Sequence, residues 1–108
     1  MKRFVLTYNA IEGFHKYPNA PAFCDYLASI HRHVFVIRCT FEVSHNEREI
    51  EINQMQLKID EYLKSKYGYP CKFDNLSCES IAEDIMTTFN ASTVSVLEDN
   101  YGGATLII

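Results

Sequence analysis

Long apolar runs are missing from this chain: no stretch approaches the ~18 apolar residues that a membrane-spanning helix needs, so no membrane span is expected. The amino terminus, Met1-Lys2-Arg3-Phe4-Val5-Leu6-Thr7-Tyr8, starts basic, but its apolar run is too short and too interrupted for a signal peptide. A cytoplasmic location is therefore expected, where thiols stay reduced. The cysteines, Cys24, Cys39, Cys71 and Cys78, form no CxxC pair, which argues against a structural zinc knuckle and leaves free thiols or site residues. Basic clusters are absent too, and the net charge is −4. Such a balance favours neither nucleic acid nor an anionic membrane, leaving small molecules or proteins as partners. There is no internal repeat, no low-complexity segment and no histidine after His45.

What is present describes an ordinary globular chain. Its 108 residues, 47% apolar and 13% aromatic, suit one domain with a single core spanning residues 1–108. Met1 to about Ala10 alternates Phe4, Leu6 and Tyr8 against Val5, Thr7 and Asn9, the period of a strand. Gly13 and Pro18-Asn19-Ala20-Pro21 mark an irregular loop. Phe23, Tyr26, Leu27 and Ile30 recur at helical spacing, which predicts a short helix over 21–30. His31 to Val43 reads as a long strand, followed by a polar turn at Ser44–Glu47. Ile52, Met55, Ile59, Tyr62 and Leu63 form one stripe of a helix that runs to about Tyr67 and stops at Gly68-Tyr69-Pro70. Ser77 can cap a second helix, with Glu79 in its first turn and Ile81, Ile85 and Phe89 along its stripe. Strands at Thr93–Glu98 and Ala104–Ile108 close the chain around a turn at 99–103. The pattern predicts an α+β fold: a four-stranded antiparallel sheet in the order ββααββ, with both long helices on one face.

Chemistry concentrates at His31-Arg32-His33, which opens the long strand. Residues two apart on a strand point to the same face, so His31 and His33 offer two imidazoles to one point. Neutral imidazole is a good ligand for a divalent transition metal, and catalytic zinc commonly takes three protein ligands. Two satisfied polar residues at the rim of a sheet would give the same spacing. Cys39 shares this face but lies roughly 20 Å further along the strand, a core position. His45 falls in the polar turn, a solvated position.

The order of elements, with HxH at the start of the second strand, resembles the 6-pyruvoyl-tetrahydropterin synthase and 6-carboxy-tetrahydropterin synthase family. That resemblance implies a tunnelling fold, in which subunits join their sheets into a ring, trimeric or hexameric, and build sites between neighbours. It implies zinc (Zn2+) held by His31 and His33, with His15, in Phe14-His15-Lys16-Tyr17-Pro18, as the upstream third ligand. Ser77-Cys78-Glu79-Ser80-Ile81-Ala82 resembles the family's PTxENxA helix start, with Ser for Thr and no Pro, and makes Ser77 a substrate-binding candidate. Val94–Asp99 resembles the strand ending in the glutamate that grips the pterin ring, which assigns that role to Glu98. A carboxylate there can accept two hydrogen bonds from the N–H and NH₂ edge of a pterin- or purine-like ring.

Departures from the family pattern accompany these matches. The family's catalytic cysteine lies a few residues before HxH, whereas Cys24 precedes His31 by seven, on an expected helix. Cys24 is the candidate proton acceptor as a thiolate, or else a small buried apolar residue. The family's Leu-Asp-His relay segment has its nearest counterpart in Phe73-Asp74-Asn75, and an amide cannot exchange a proton near neutral pH. Arg48-Glu49-Ile50-Glu51-Ile52 stands where the family has an Asp-Phe pair, with Glu for Asp.

Three readings stand at this point. The first is a zinc-dependent lyase acting on a pterin triphosphate-type substrate, with an incomplete proton relay. The second is a non-catalytic homo-oligomer of the same fold that binds a pterin, purine or nucleotide to sequester or sense it. The third is an interaction module in which HRH is decoration. The unbroken Leu106-Ile107-Ile108 and the open sheet edges favour a homo-oligomer over a monomer.

Overall fold

The computed structural model describes residues 1–108 as an α+β domain built on one five-stranded mixed sheet. In chain order the elements are β1 (Arg3–His15), a 3-10 segment (Ala22–Ala28), β2 (His31–Val43), α1 (Ile52–Tyr67), β3 (Cys71–Asp74), α2 (Cys78–Phe89), β4 (Thr93–Glu98) and β5 (Gly102–Ile107). The strands lie side by side as β3-β1-β2-β4-β5, antiparallel except that β3 runs parallel to β1. No helix is long and apolar enough to cross a membrane.

Register places every odd-numbered residue of β1 and β2 on one face, because directly opposed residues share a side of the sheet. Thr7 opposes Cys39, Ile11 opposes Phe35 and His15 opposes His31. Across the next ladder, Ile37 opposes Val96 and Cys39 opposes Val94. Both long helices cover this face. Ile59 and Leu63 of α1 and Ile81, Ala82 and Ile85 of α2 are fully buried against Phe35, Ile37, Cys39, Val94 and Val96. Burial pushes the Cys39 thiol up to about 11, as expected of a core position.

The helix termini follow local chemistry. Glu51 caps α1, its carboxylate accepting from the amides of Asn53 and Gln54 at 3.0 Å each. Gly68, at φ 80°, ends it through a bond from its N–H to the carbonyl of Lys64. Ser77 caps α2, its hydroxyl oxygen accepting from the Ser80 amide at 3.1 Å.

Three expectations need correction. The sheet has five strands rather than four, and it is mixed. Cys71–Asp74 forms a strand too short to stand out in the sequence, burying Cys71 and Phe73 and exposing the two residues between and after them. β1 also continues past Ala10 to His15, so Gly13 lies within a strand and not in a loop. A Cβ at Gly13 would sit 2.8 Å from the Phe73 ring and 3.0 Å from the Cys71 carbonyl, so the missing side chain is what admits β3 beside β1. Finally, the segment expected as a helix over 21–30 is 3-10, broken at Cys24 (φ −138°, ψ 30°).

The opposite face of the sheet has no covering layer. Phe4, Leu6 and Tyr8 of β1 and Ile107 of β5 are each about half exposed or more on that side. Part of the β1 edge is nonetheless protected, because the Gln56 side-chain carbonyl of α1 accepts from the Tyr8 amide at 2.9 Å.

Candidate metal centre and cavity

Sheet register brings the histidines together. His15 and His31 are directly opposed across the β1–β2 ladder, and His33 follows two residues along the same face. Their ring centroids are 4.7 Å (His15–His31), 5.0 Å (His31–His33) and 5.3 Å (His15–His33) apart. Glu98, the last residue of β4, opposes Phe35 and so joins them from the neighbouring strand. One donor atom from each of His15, His31, His33 and Glu98 lies within 4.8 Å of all the others, a group that can hold a metal ion. Phe35 forms the floor, its ring 5.1 Å from that of His15 and 4.9 Å from that of Phe73.

Hydrogen bonds at the back of each ring decide which nitrogen faces the centre. His15 Nδ1 lies 2.9 Å from the Leu76 carbonyl, and His31 Nδ1 lies 2.8 Å from the Ser29 carbonyl. A carbonyl only accepts, so both Nδ1 atoms carry the proton and donate it. His33 Nδ1 lies 2.6 Å from Asp99 Oδ2, while Asp99 Oδ1 accepts from the Val34 amide at 2.8 Å. The His33 hydrogen bond, then the Val34 amide, holds the Asp99 carboxyl below its usual range, so it too acts as an acceptor. All three rings are thus turned with Nε2 inward. An outer partner on the second nitrogen that fixes tautomer and orientation is the arrangement that metal-binding histidines use.

His15 Nε2 provides the test of fit. It is buried and makes no hydrogen bond, yet it lies 2.7 Å from Glu98 Oε2. With Nδ1 holding the proton, the Nε2 lone pair faces a carboxylate oxygen, an arrangement that a cation between them relieves. Three inward imidazoles and a carboxylate suit a divalent metal of the zinc type.

The group opens onto a cavity of about 550 Å³ whose wall includes His15, His31, Asn75, Ser77, Cys78 and Glu98. The connection from β3 to α2, together with the first residue of α2, supplies Asn75 to Cys78 as one continuous stretch. Burial, followed by the charge of Glu98, pushes the Cys78 thiol up to about 12, which keeps it protonated.

The structure therefore brings His15, His31, Glu98 and Ser77 to one cavity, with His33 beside them in the metal-binding group. Cys24 is not brought there: it is buried at the kink of the 3-10 segment and does not line the wall. Cys78 is the thiol that does. Asn75, the counterpart of the relay histidine, also lies on the wall, and His45 is exposed in its turn. Asp99 was missed as an anchor of His33. Its signal was the Asp99-Asn100 pair, with φ of 54° and 62°, which forms a tight left-handed turn directly after Glu98.

A scan against protein-family models and a search of curated proteins each find no match for this sequence.

Proposed function

We propose that this chain is a zinc-dependent lyase of the 6-pyruvoyl/6-carboxy-tetrahydropterin synthase type, acting on a pterin triphosphate-type substrate. The observation that carries the reading is the set of three inward Nε2 atoms, each anchored from behind, beside a carboxylate and at the wall of a ligand-sized cavity. His15, His31 and His33 would hold the metal, which as a Lewis acid supplies polarisation of a substrate carbonyl or hydroxyl. Glu98 accepts the N–H and NH₂ edge of the heterocycle and orients it. Ser77 stands at the cavity wall, its hydroxyl accepting from the Ser80 amide at 3.1 Å and donating to the Ser80 hydroxyl at 3.2 Å, bonds that a substrate contact would share or replace. The expected acceptor Cys24 lies away from this wall, so proton movement falls to a carboxylate there, Glu98 or Glu79.

One observation favours a second reading, a non-catalytic member that sequesters or senses a pterin, purine or nucleotide. No thiolate and no relay histidine stand at the cavity: Cys78 is held protonated, and Asn75 replaces the histidine. Either reading takes a homo-oligomeric ring in the tunnelling fold, trimeric or hexameric, in the cytoplasm. Support for assembly comes from the uncovered sheet face with Phe4, Leu6, Tyr8 and Ile107, and from the open β5 edge.

Metal analysis of the purified protein, with turnover of dihydroneopterin triphosphate, tests the proposal. Stoichiometric zinc that is lost in His31→Ala, together with product formation, is the expected result. Ring binding with no turnover would favour the second reading, and absence of metal binding would overturn the lyase reading. Light scattering at micromolar concentration tests the ring, which a monomeric mass would refute.

A further inference from the structure

We infer that Glu98 is itself a metal ligand at rest, the fourth, and that it leaves the metal to engage the heterocycle. The inference rests on the metal-centre reading above and adds to it an exchange at one carboxylate. Glu98 Oε2 lies 2.7 Å from His15 Nε2 and 3.6 Å from His33 Nε2, closer to the centre of the group than ring recognition alone requires. Its only ion-pair partners are these two histidines; no lysine or arginine neutralises it. The Leu76 carbonyl and the Asp99 carboxylate engage the outer nitrogens of His15 and His33, so the inner nitrogens face Glu98, and a cation held among them answers its charge.

Pairing on both sides fixes the backbone from which the carboxylate extends. Glu98 is clamped in register opposite Phe35 on one side and Gly102 on the other, and the Tyr101 amide donates to its carbonyl at 3.0 Å. The side chain is about one-third exposed, so it retains room to swing toward the cavity that it also lines. Three imidazoles and one carboxylate would supply four ligands, the number that a closed structural zinc site takes. A ring that takes both oxygens of Glu98 in a bidentate contact withdraws that ligand and opens the fourth position. Recognition of the heterocycle and exposure of a coordination position are then the same event, which keeps the site closed when no ring is present.

Zinc affinity, measured by competition with a chromophoric chelator, tests this in wild type, Glu98→Gln, Glu98→Ala and His31→Ala, together with the visible spectrum of the cobalt(II)-loaded proteins. Thermal unfolding of the metal-free variants controls for folding. Wild type should bind zinc, and both Glu98 variants should bind it at least ~10-fold more weakly, since loss of an outer-shell partner alone costs that much. The wild-type cobalt spectrum should have the intensity of four-coordination by nitrogen and oxygen, altered in Glu98→Ala. Zinc affinity and cobalt spectra unchanged in both Glu98 variants, with metal still lost in His31→Ala, would overturn the inference while leaving the three-histidine centre standing. Wild type that binds no metal would overturn the centre itself. Glu98→Gln guards against misfolding of the alanine variant, because it preserves side-chain volume.

Discussion

Replacing Asp99 by asparagine should disable His33 as a ligand without moving it. Asp99 uses both oxygens, one accepting from the Val34 amide at 2.8 Å and the other from His33 Nδ1 at 2.6 Å. An asparagine can place its single oxygen against only one of these donors. The Val34 amide is fixed in the backbone and can only donate, so the oxygen turns to it and the NH₂ turns to His33. His33 must then accept at Nδ1 and carry its proton on Nε2, where a metal would bind. Outer-shell substitutions of this kind typically cost ~10–100-fold in metal affinity, about 1.4–2.7 kcal/mol. With zinc at 100 times the wild-type dissociation constant, metal should stabilise wild type by about 2.7 kcal/mol, and the variant by about 1.4 kcal/mol for a ~10-fold loss or about 0.4 kcal/mol for a ~100-fold loss. For a domain near this size each kcal/mol moves Tm by roughly 4–8 °C, so the zinc-induced rise should shrink from about 10–20 °C to less than half that at the larger loss. Calorimetry with and without zinc reads the difference directly. Equal zinc-induced shifts in wild type and Asp99→Asn would refute the tautomer argument, and with it the claim that the Nδ1 partners hold the site.

Gly13→Ala should destabilise the fold by about 1–3 kcal/mol, the usual cost of overpacking, because its Cβ would meet the Phe73 ring at 2.8 Å; denaturant unfolding of the metal-free protein checks it. Asp84→Asn should cost about 1–3 kcal/mol at neutral pH by disturbing the part-buried bonds that Tyr62 (2.7 Å) and Tyr67 (2.5 Å) donate to this carboxylate. Burial raises the Asp84 pKa, but those hydrogen bonds and Lys66 outweigh it and leave it below 3.8. Its contribution is therefore present above that pH and lost as pH falls through the lowered value, so acid titration of stability should be flatter in the variant. At the alkaline end, burial sets Cys39 and Cys71 at about 11 and Cys78 at about 12 against a usual 9.0. The unfolded chain loses these protons first, so stability should decline from about pH 9 upward, and Cys78 should resist alkylation at pH 8 when followed by mass spectrometry.

Much of this architecture was legible from periodicity. The bounds of β2 and β4 and the extent of α1 follow the alternation and stripes in the sequence, and Ser77 announces the start of α2. The HxH spacing shows two imidazoles on one face. What was hidden is what depends on distant partners. β3 is visible only once Gly13 and Phe73 are known to touch, since four residues carry little periodic signal. The end of β1 was obscured because Gly13 signals a loop locally while serving close strand approach globally. Cys24 sits on the predicted segment, but its distance from the cavity depends on the path of the 3-10 turn, which spacing does not encode. Asp99 lies 66 positions from His33 and reaches it only through β2–β4 pairing.

The brevity of β3 carries a consequence for motion. This edge strand is held to β1 over a few residues, and the same stretch leads straight into the Leu76 carbonyl that orients His15 and the serine that starts α2. Fraying of that margin would release one imidazole and loosen one cavity rim together. A bound cation that fixes His15 should therefore slow deuterium uptake along residues 71–77, far more than a change in the helices behind them, making the weakest ribbon of the sheet the place where occupancy is felt.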